Sequence, residues 1–175
     1  MTSKSPRPSS HPAALPEKTL LAECDTTFGR RGGPGGQHRN KVETAVILLH
    51  RPTGVRAEAN ERRSQGANRL IALERLRIQL ALEVRSNIEK DKELSPLWVS
   101  RLRGKQIEIS RKHADFPALL AEALDRIAVC SADVRLAAEK MKTNTSQMIR
   151  FLKKEPKGLT LVNRLRSEQG MPPLK

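Results

Sequence analysis

The spacing of apolar positions changes character twice along this chain. Leu20 to Phe28 mixes apolar residues with threonines and suits a strand, and Gly29–Arg39 then shows no apolar period and reads as a loop. Lys41–His50 turns β-branched and apolar, a second strand. Arg51-Pro52-Thr53-Gly54 places Pro and Gly as a turn does, and Val55–Ala59 alternates as a hairpin partner would. The period then lengthens. Ser64 is a candidate N-cap, and Leu70, Leu73, Leu76, Leu80 and Val84 recur at helical spacing, with Arg69, Arg75, Arg77 and Glu83 between them. Such a helix would lay one face on the sheet and show a basic face to solvent.

After a mixed stretch holding one short strand candidate, Gln106–Ser110, the pattern stays helical. Asp115 with Pro117 opens a helix whose stripe is Leu119, Leu120, Leu124 and Ile127. Ser131 is the expected start of a second helix through Val134, Leu136, Ala137, Ala138 and Met141. Thr143-Asn144-Thr145 breaks it. A third helix is expected over Ser146–Lys154, ended by Pro156-Lys157-Gly158, and a last one over Leu159–Gln169, closed by Gly170. Asp133–Glu155 fits either a DNA-reading helix-turn-helix or a plain trihelical bundle. The fold class is therefore α+β. The expected organisation is a disordered Ser/Pro/Ala-rich tail over 1–16, a sheet-and-helix domain over 17–90, a linker with a short strand over 91–114, a helical bundle over 115–170 and a tail over 171–175.

Charge narrows the partner class. The 175 residues carry a formal net charge of +14, and the surplus is spread along the chain rather than gathered in one tail. Nucleic acid is the leading partner for such a balance. A membrane is disfavoured because no apolar run approaches spanning length. The aromatics are one Trp, three Phe and no Tyr, too few for a base-stacking sheet, and Trp98 fits a core anchor better than a stacking platform. Cys24 and Cys130 read as buried free thiols; two cysteines make neither a zinc site nor a disulfide framework. No metal and no cofactor is expected. No signal-peptide pattern is apparent, so a reducing cytoplasm of bacterial type is expected, with an organelle matrix as the alternative.

The segment Gly32-Gly33-Pro34-Gly35-Gly36-Gln37 cannot be a packed helix or strand, since four of its six residues are glycine. It reads as a loop that brings bare backbone against another molecule. Arg30, Arg31, Arg39 and Lys41 flank it, which points to a polyanion.

These residues, followed in order by Thr44-Ala45-Val46, His50–Gly54, Arg63-Ser64-Gln65 and Asn68-Arg69, resemble the catalytic domain of class I peptide chain release factors. They are also similar to the ribosome-rescue peptidyl-tRNA hydrolases that share it. Over about Leu20–Arg85, several motif blocks in one order carry the resemblance far beyond a bare Gly-Gly-Gln. It implies an enzyme that hydrolyses the ester between a nascent peptide and transfer RNA in the ribosomal peptidyl-transferase centre. Gly35, Gly36 and Gln37 would be the catalytic residues, with the Gln37 main-chain N–H stabilising the oxyanion. Arg30, Arg31, Arg39, Lys41, Arg63 and Arg69 would contact ribosomal RNA. The implied partners are the large-subunit RNA and peptidyl-tRNA, with a monomeric chain and a methyltransferase acting on Gln37.

Three departures shape the expectation. Codon-reading domains are not apparent, so the expected activity is codon-independent release from stalled ribosomes or split large subunits. Arg39 stands where the family commonly has a small apolar residue, and a folded helical segment stands where the rescue enzymes have a basic tail. The competing reading is a non-catalytic ribosome- or RNA-binding factor with a vestigial loop. His38 reads as a surface residue rather than a proton carrier.

Overall fold

The computed structural model describes residues 11–29 and 44–175. A single 3-10 turn, Pro12–Ala14, leads into α1 (Glu17–Ala22), β1 (Cys24–Gly29), β2 (Ala45–His50), β3 (Arg56–Ala59) and α2 (Gln65–Glu83). Then follow α3 (Pro96–Arg101), the strand pair β4 (Leu102–Arg103) and β5 (Gln106–Ile107), and four helices: α4 (Phe116–Val129), α5 (Val134–Lys140), α6 (Thr145–Leu152) and α7 (Pro156–Glu168). The three long strands form one antiparallel sheet in the order β1-β2-β3. Its inner face carries Val46, Leu48, Ala57 and Ala59, all buried, against α2.

α2 is covered on two sides. The sheet lies on one, α4 on the other, and the N-terminal turn packs beside them. Its buried set, Ala72, Leu73, Leu76, Ile78, Leu80 and Ala81, is therefore wider than one stripe. On α4, Leu119, Leu120, Leu124 and Ile127 are wholly buried, each contributing about 2 kcal/mol of transfer free energy. One continuous apolar cluster runs from Ala13 to Val162. Arg111 joins the layers by polar contact: it bonds Glu74 of α2 at 3.0 Å and the buried Glu155 at 2.9 Å, and its guanidinium lies over the Phe116 ring.

Several expectations change. Leu20–Ala22 belongs to α1, not to a strand; six residues are too few to display a helical period, though Pro16 and Glu17 mark the start. Residues 11–16 pack on the core, with Ala13 buried, instead of forming part of a disordered tail. Leu70, placed on the buried stripe of α2, is 63% exposed. The basic face of α2 is largely engaged: Arg75 donates to the Glu58 carbonyl at 2.7 Å and pairs with Glu61, and Arg77 donates to the Ala13 carbonyl at 2.9 Å. The Arg75 bond holds the Glu61 carboxyl below its ordinary pKa. Residues 91–114 are more than a linker with a strand. They contain α3, which starts at a Ser95 cap followed by Pro96, a legible helix opening.

The helix ends also differ. Ser131 does not cap α5; it adopts φ 54° beyond the end of α4, and the Asp133 carboxylate accepts from the Leu136 N–H at 3.0 Å instead. Asn144 caps α6 by the same bond to Gln147. Pro156 opens α7 rather than closing α6, and Gly158 lies inside α7. A Cβ there would meet Leu120 Cδ1 at 3.4 Å, an ordinary packing distance, so this part of α7 lies directly on α4. Trp98 is a core anchor, as expected: wholly buried, it packs edge-on against Phe151 at 5.7 Å and donates its indole N–H to the Met141 carbonyl at 3.0 Å. Cys24 and Cys130 are buried and free, and burial pushes both thiols up in pKa.

Candidate functional site

In the β1–β2 ladder Cys24 pairs with His50 and Gly29 with Ala45. The chain therefore leaves the sheet at Gly29 and re-enters it directly opposite. The described positions on either side of residues 30–43 lie together at that one end of the sheet. Gly35, Gly36, Gln37, Arg30, Arg31, Arg39 and Lys41, and His38 with them, lie outside the described residues.

The returning end of this segment is bolted to α2. Asn68 is fully buried in the first turn of α2. Its side-chain amide donates to the Thr44 carbonyl at 2.6 Å and to the Arg62 carbonyl at 2.9 Å, while its oxygen accepts from the Arg62 N–H at 2.8 Å. Three bonds from one side chain thus fix three strands of backbone: the start of β2, the approach to α2 and α2 itself. In the sequence Asn68 stands out only as part of the Asn68-Arg69 motif, with no role of its own. The available signal was an amide, able to donate and accept at once, in the first turn of a helix. Ser64 caps that turn, accepting from the Ala67 N–H at 3.4 Å.

Arg63 and Arg69 flank this bolt. Both are exposed and form no ion pair among the described residues. They contrast with Arg75 and Arg77, about two turns further along α2, which are engaged. Phe28, at the departing end, is 44% exposed.

The His50–Gly54 block sits at the opposite end of the sheet, about 17 Å from Ala45 by the strand rise. His50 is 1% exposed and links the Glu23 carboxylate at 3.0 Å to the Thr53 hydroxyl at 2.7 Å. Arg51 donates to Asp25 at 2.8 Å and to the Ala22 carbonyl at 2.7 Å. These contacts hold the β2–β3 turn on α1 and β1, so this part of the motif builds the scaffold and stays away from the loop base.

Residues 19–114, just over half of the chain, match the RF-1 domain. The chain belongs to the RF-1 domain family. The family match takes in the sheet, α2, α3 and the β4–β5 pair and ends before α4. Among curated relatives, the chain is 52% identical over 66 residues to the chloroplastic peptide chain release factor PrfB1 of Arabidopsis thaliana, covering 38% of this chain and 14% of that protein. It is 51% identical over 82 residues to peptide chain release factor 1 of Xylella fastidiosa (42% and 22%). To peptide chain release factor 2 of an Acidovorax species it is 38% identical over 96 residues (51% and 26%). The chain thus spans about a quarter or less of the length of these relatives. No solved structure matches it. Among the described residues no helix is long and apolar enough to cross a membrane.

Proposed function

We propose that this chain hydrolyses the ester between a nascent peptide and transfer RNA on the ribosome, without reading a codon. The observation that carries the proposal is the mounting of the Gly-Gly-Gln segment. In a chain of the RF-1 domain family, its two ends sit as cross-strand partners, locked to α2 through Asn68, with exposed Arg63 and Arg69 alongside.

In this reading a water attacks the ester carbonyl, the bond to the ribose oxygen breaks, and the water's proton ends on that oxygen, relayed by the substrate's own ribose hydroxyl. The main-chain N–H of Gln37 faces the developing oxyanion, where a preoriented donor lowers the barrier most. Gly35 and Gly36 give the backbone its freedom. The Gln37 side chain admits a water-sized nucleophile; an amide has no useful basicity, so it takes no proton. Arg30, Arg31, Arg39, Lys41, Arg63 and Arg69 hold the loop against ribosomal RNA phosphates. Such contacts position without reading sequence, in keeping with codon independence. The chain acts where bacterial-type ribosomes work, in the cytoplasm or an organelle matrix, as a monomer and as a substrate for a methyltransferase at Gln37.

The test is peptide release from ribosomes carrying truncated, intact or no messenger. Wild type releases on all three. Gln37→Ala and Gly36→Ala lose about 10²-fold or more, the cost of a misplaced oxyanion donor, and retain ribosome binding. Full activity in both variants would refute the proposal. Ribosome binding without release by the wild type would favour a non-catalytic factor, a reading supported by the four helices that lie beyond the family match.

A further inference from the structure

Three helices of this protein end in the same backbone motif. After α4, α5 and α7 a left-handed residue follows the cap, and the next two N–H groups fold back onto the last turn. At α7 the left-handed residue is Gly170, the usual choice. At α5 it is Lys142, at φ 55°, with its N–H on the Glu139 carbonyl and the Thr143 N–H on the Ala138 carbonyl. A long side chain held in this conformation costs stability that glycine would not, and such an outlier points to a use for the side chain.

The use is suggested by what surrounds it. The Thr143 hydroxyl donates to the Lys105 carbonyl at 2.5 Å, which ties the tip of the β4–β5 hairpin to the α5–α6 turn. An open groove forms between them, lined by Lys105, Arg135 and Lys142 with Glu139 as its one acid. The three cations come from three separate places: hairpin tip, first turn of α5 and end of α5. All are exposed, and none forms an ion pair among the described residues. Arg51, Arg75, Arg101 and Arg111, by contrast, each pair with a carboxylate.

We propose that this groove binds the phosphate backbone of duplex RNA, as a second nucleic-acid surface separate from the loop base. Backbone contact is favoured over base reading by the hairpin itself. β5 packs against α6 and its turn is bonded to Thr143, so the three cations sit beside α6, the helix a base reader would insert in a major groove, and none lies on it. A shallow cationic groove that leaves bases untouched suits the A-form duplex, which is recognised by shape and phosphates. The proposal does not depend on Gln37 being catalytic.

The test uses the full chain and a labelled RNA duplex of about 16 base pairs, followed by anisotropy over a salt titration. Lys105→Ala/Arg135→Ala/Lys142→Gly should bind at least about tenfold more weakly, with a log–log salt slope shallower by about 3, one per phosphate contact. Glu139→Gln should bind more tightly. Lys142→Gly alone should raise the melting temperature while lowering RNA affinity, two shifts in opposite directions that misfolding cannot produce. Wild-type affinity in the triple variant, weaker binding by Glu139→Gln, or preferential binding of one DNA sequence over the RNA duplex would each overturn the proposal.

Discussion

The sheet-and-α2 region and the region around α4–α7 solve different problems with different side chains. At the sheet, buried polar groups do the fixing: Asn68 at the loop base, and His50 at the far turn, where the exposed Arg51 adds two further bonds. Around α4–α7 an aromatic cluster of Trp98, Phe116 and Phe151 among leucines dominates the packing, beside buried polar groups such as Arg126, which donates to the Lys90 and Lys92 carbonyls. The cluster holds three of the four aromatic residues in the chain. Hydrogen bonds are directional and set where a backbone points, while apolar burial is non-directional and sets how much free energy holds it there. At the sheet the buried polar groups place the loop base, around α4–α7 the aromatic cluster adds the largest buried apolar side chains, and one continuous core joins the two.

Trp98→Ala tests that division hardest. The ring is wholly buried and its N–H is bonded, so truncation should cost about 3 to 5 kcal/mol. Because one core spans both regions, calorimetry should show a single transition at lower temperature. Two separated transitions, with the sheet region melting as in the wild type, would break the comparison into two independent units.

The sheet, α2 and the apolar stripe of α4 were legible in sequence because each runs long enough to display its period. The start at α1, the cap at Asp133 and the true span of α7 were not, since a short helix and a left-handed helix end leave no periodic trace. At the candidate site, the Gly-Gly-Gln loop and its order of motif blocks were legible. The division of those blocks between the two ends of the sheet was not, because strand register alone decides which end a residue occupies.

Asn68→Ala should come next in size. It removes three bonds and strands the Thr44 and Arg62 carbonyls and the Arg62 N–H, for about 2 to 3 kcal/mol. Hydrogen exchange should quicken at Arg62 and the first residues of β2 and leave α4 unchanged. Equal quickening in α4 would show that the bolt serves general stability and not placement. Asn68→Asp keeps the acceptor but turns a carboxylate oxygen toward the Thr44 and Arg62 carbonyls at a buried site, and should cost at least as much as alanine.

The smallest effect is expected at His11, where the N-terminal turn meets both regions. The Ala13 N–H donates to Nδ1 at 3.0 Å, leaving Nε2–H to donate to the Val84 carbonyl at 3.0 Å, so the ring is held neutral. Burial pushes its pKa below the ordinary 6.5, against the pull of Asp125. The unfolded chain therefore takes up the proton first, and stability falls as pH drops below about 6.5. Asp125, pushed up by burial, acts with the opposite sign: its share is present at low pH and lost as pH rises above the ordinary carboxylate range. His11→Gln should flatten the melting-temperature decline between about pH 7.5 and 5.5. An unchanged decline would remove His11 from the account.

The amino-acid sequence by itself determined the α+β class, the basic character, the glycine loop with its flanking cations and the family to which the chain belongs. Those properties depend on residue type and local spacing. Tertiary structure decided which cations are engaged and which stay open, why Asn68 matters, and how Lys105, Arg135 and Lys142 come to line one groove. Each of these depends on residues far apart in the chain being brought within a hydrogen bond or an ion pair of one another, and local periodicity carries no record of that.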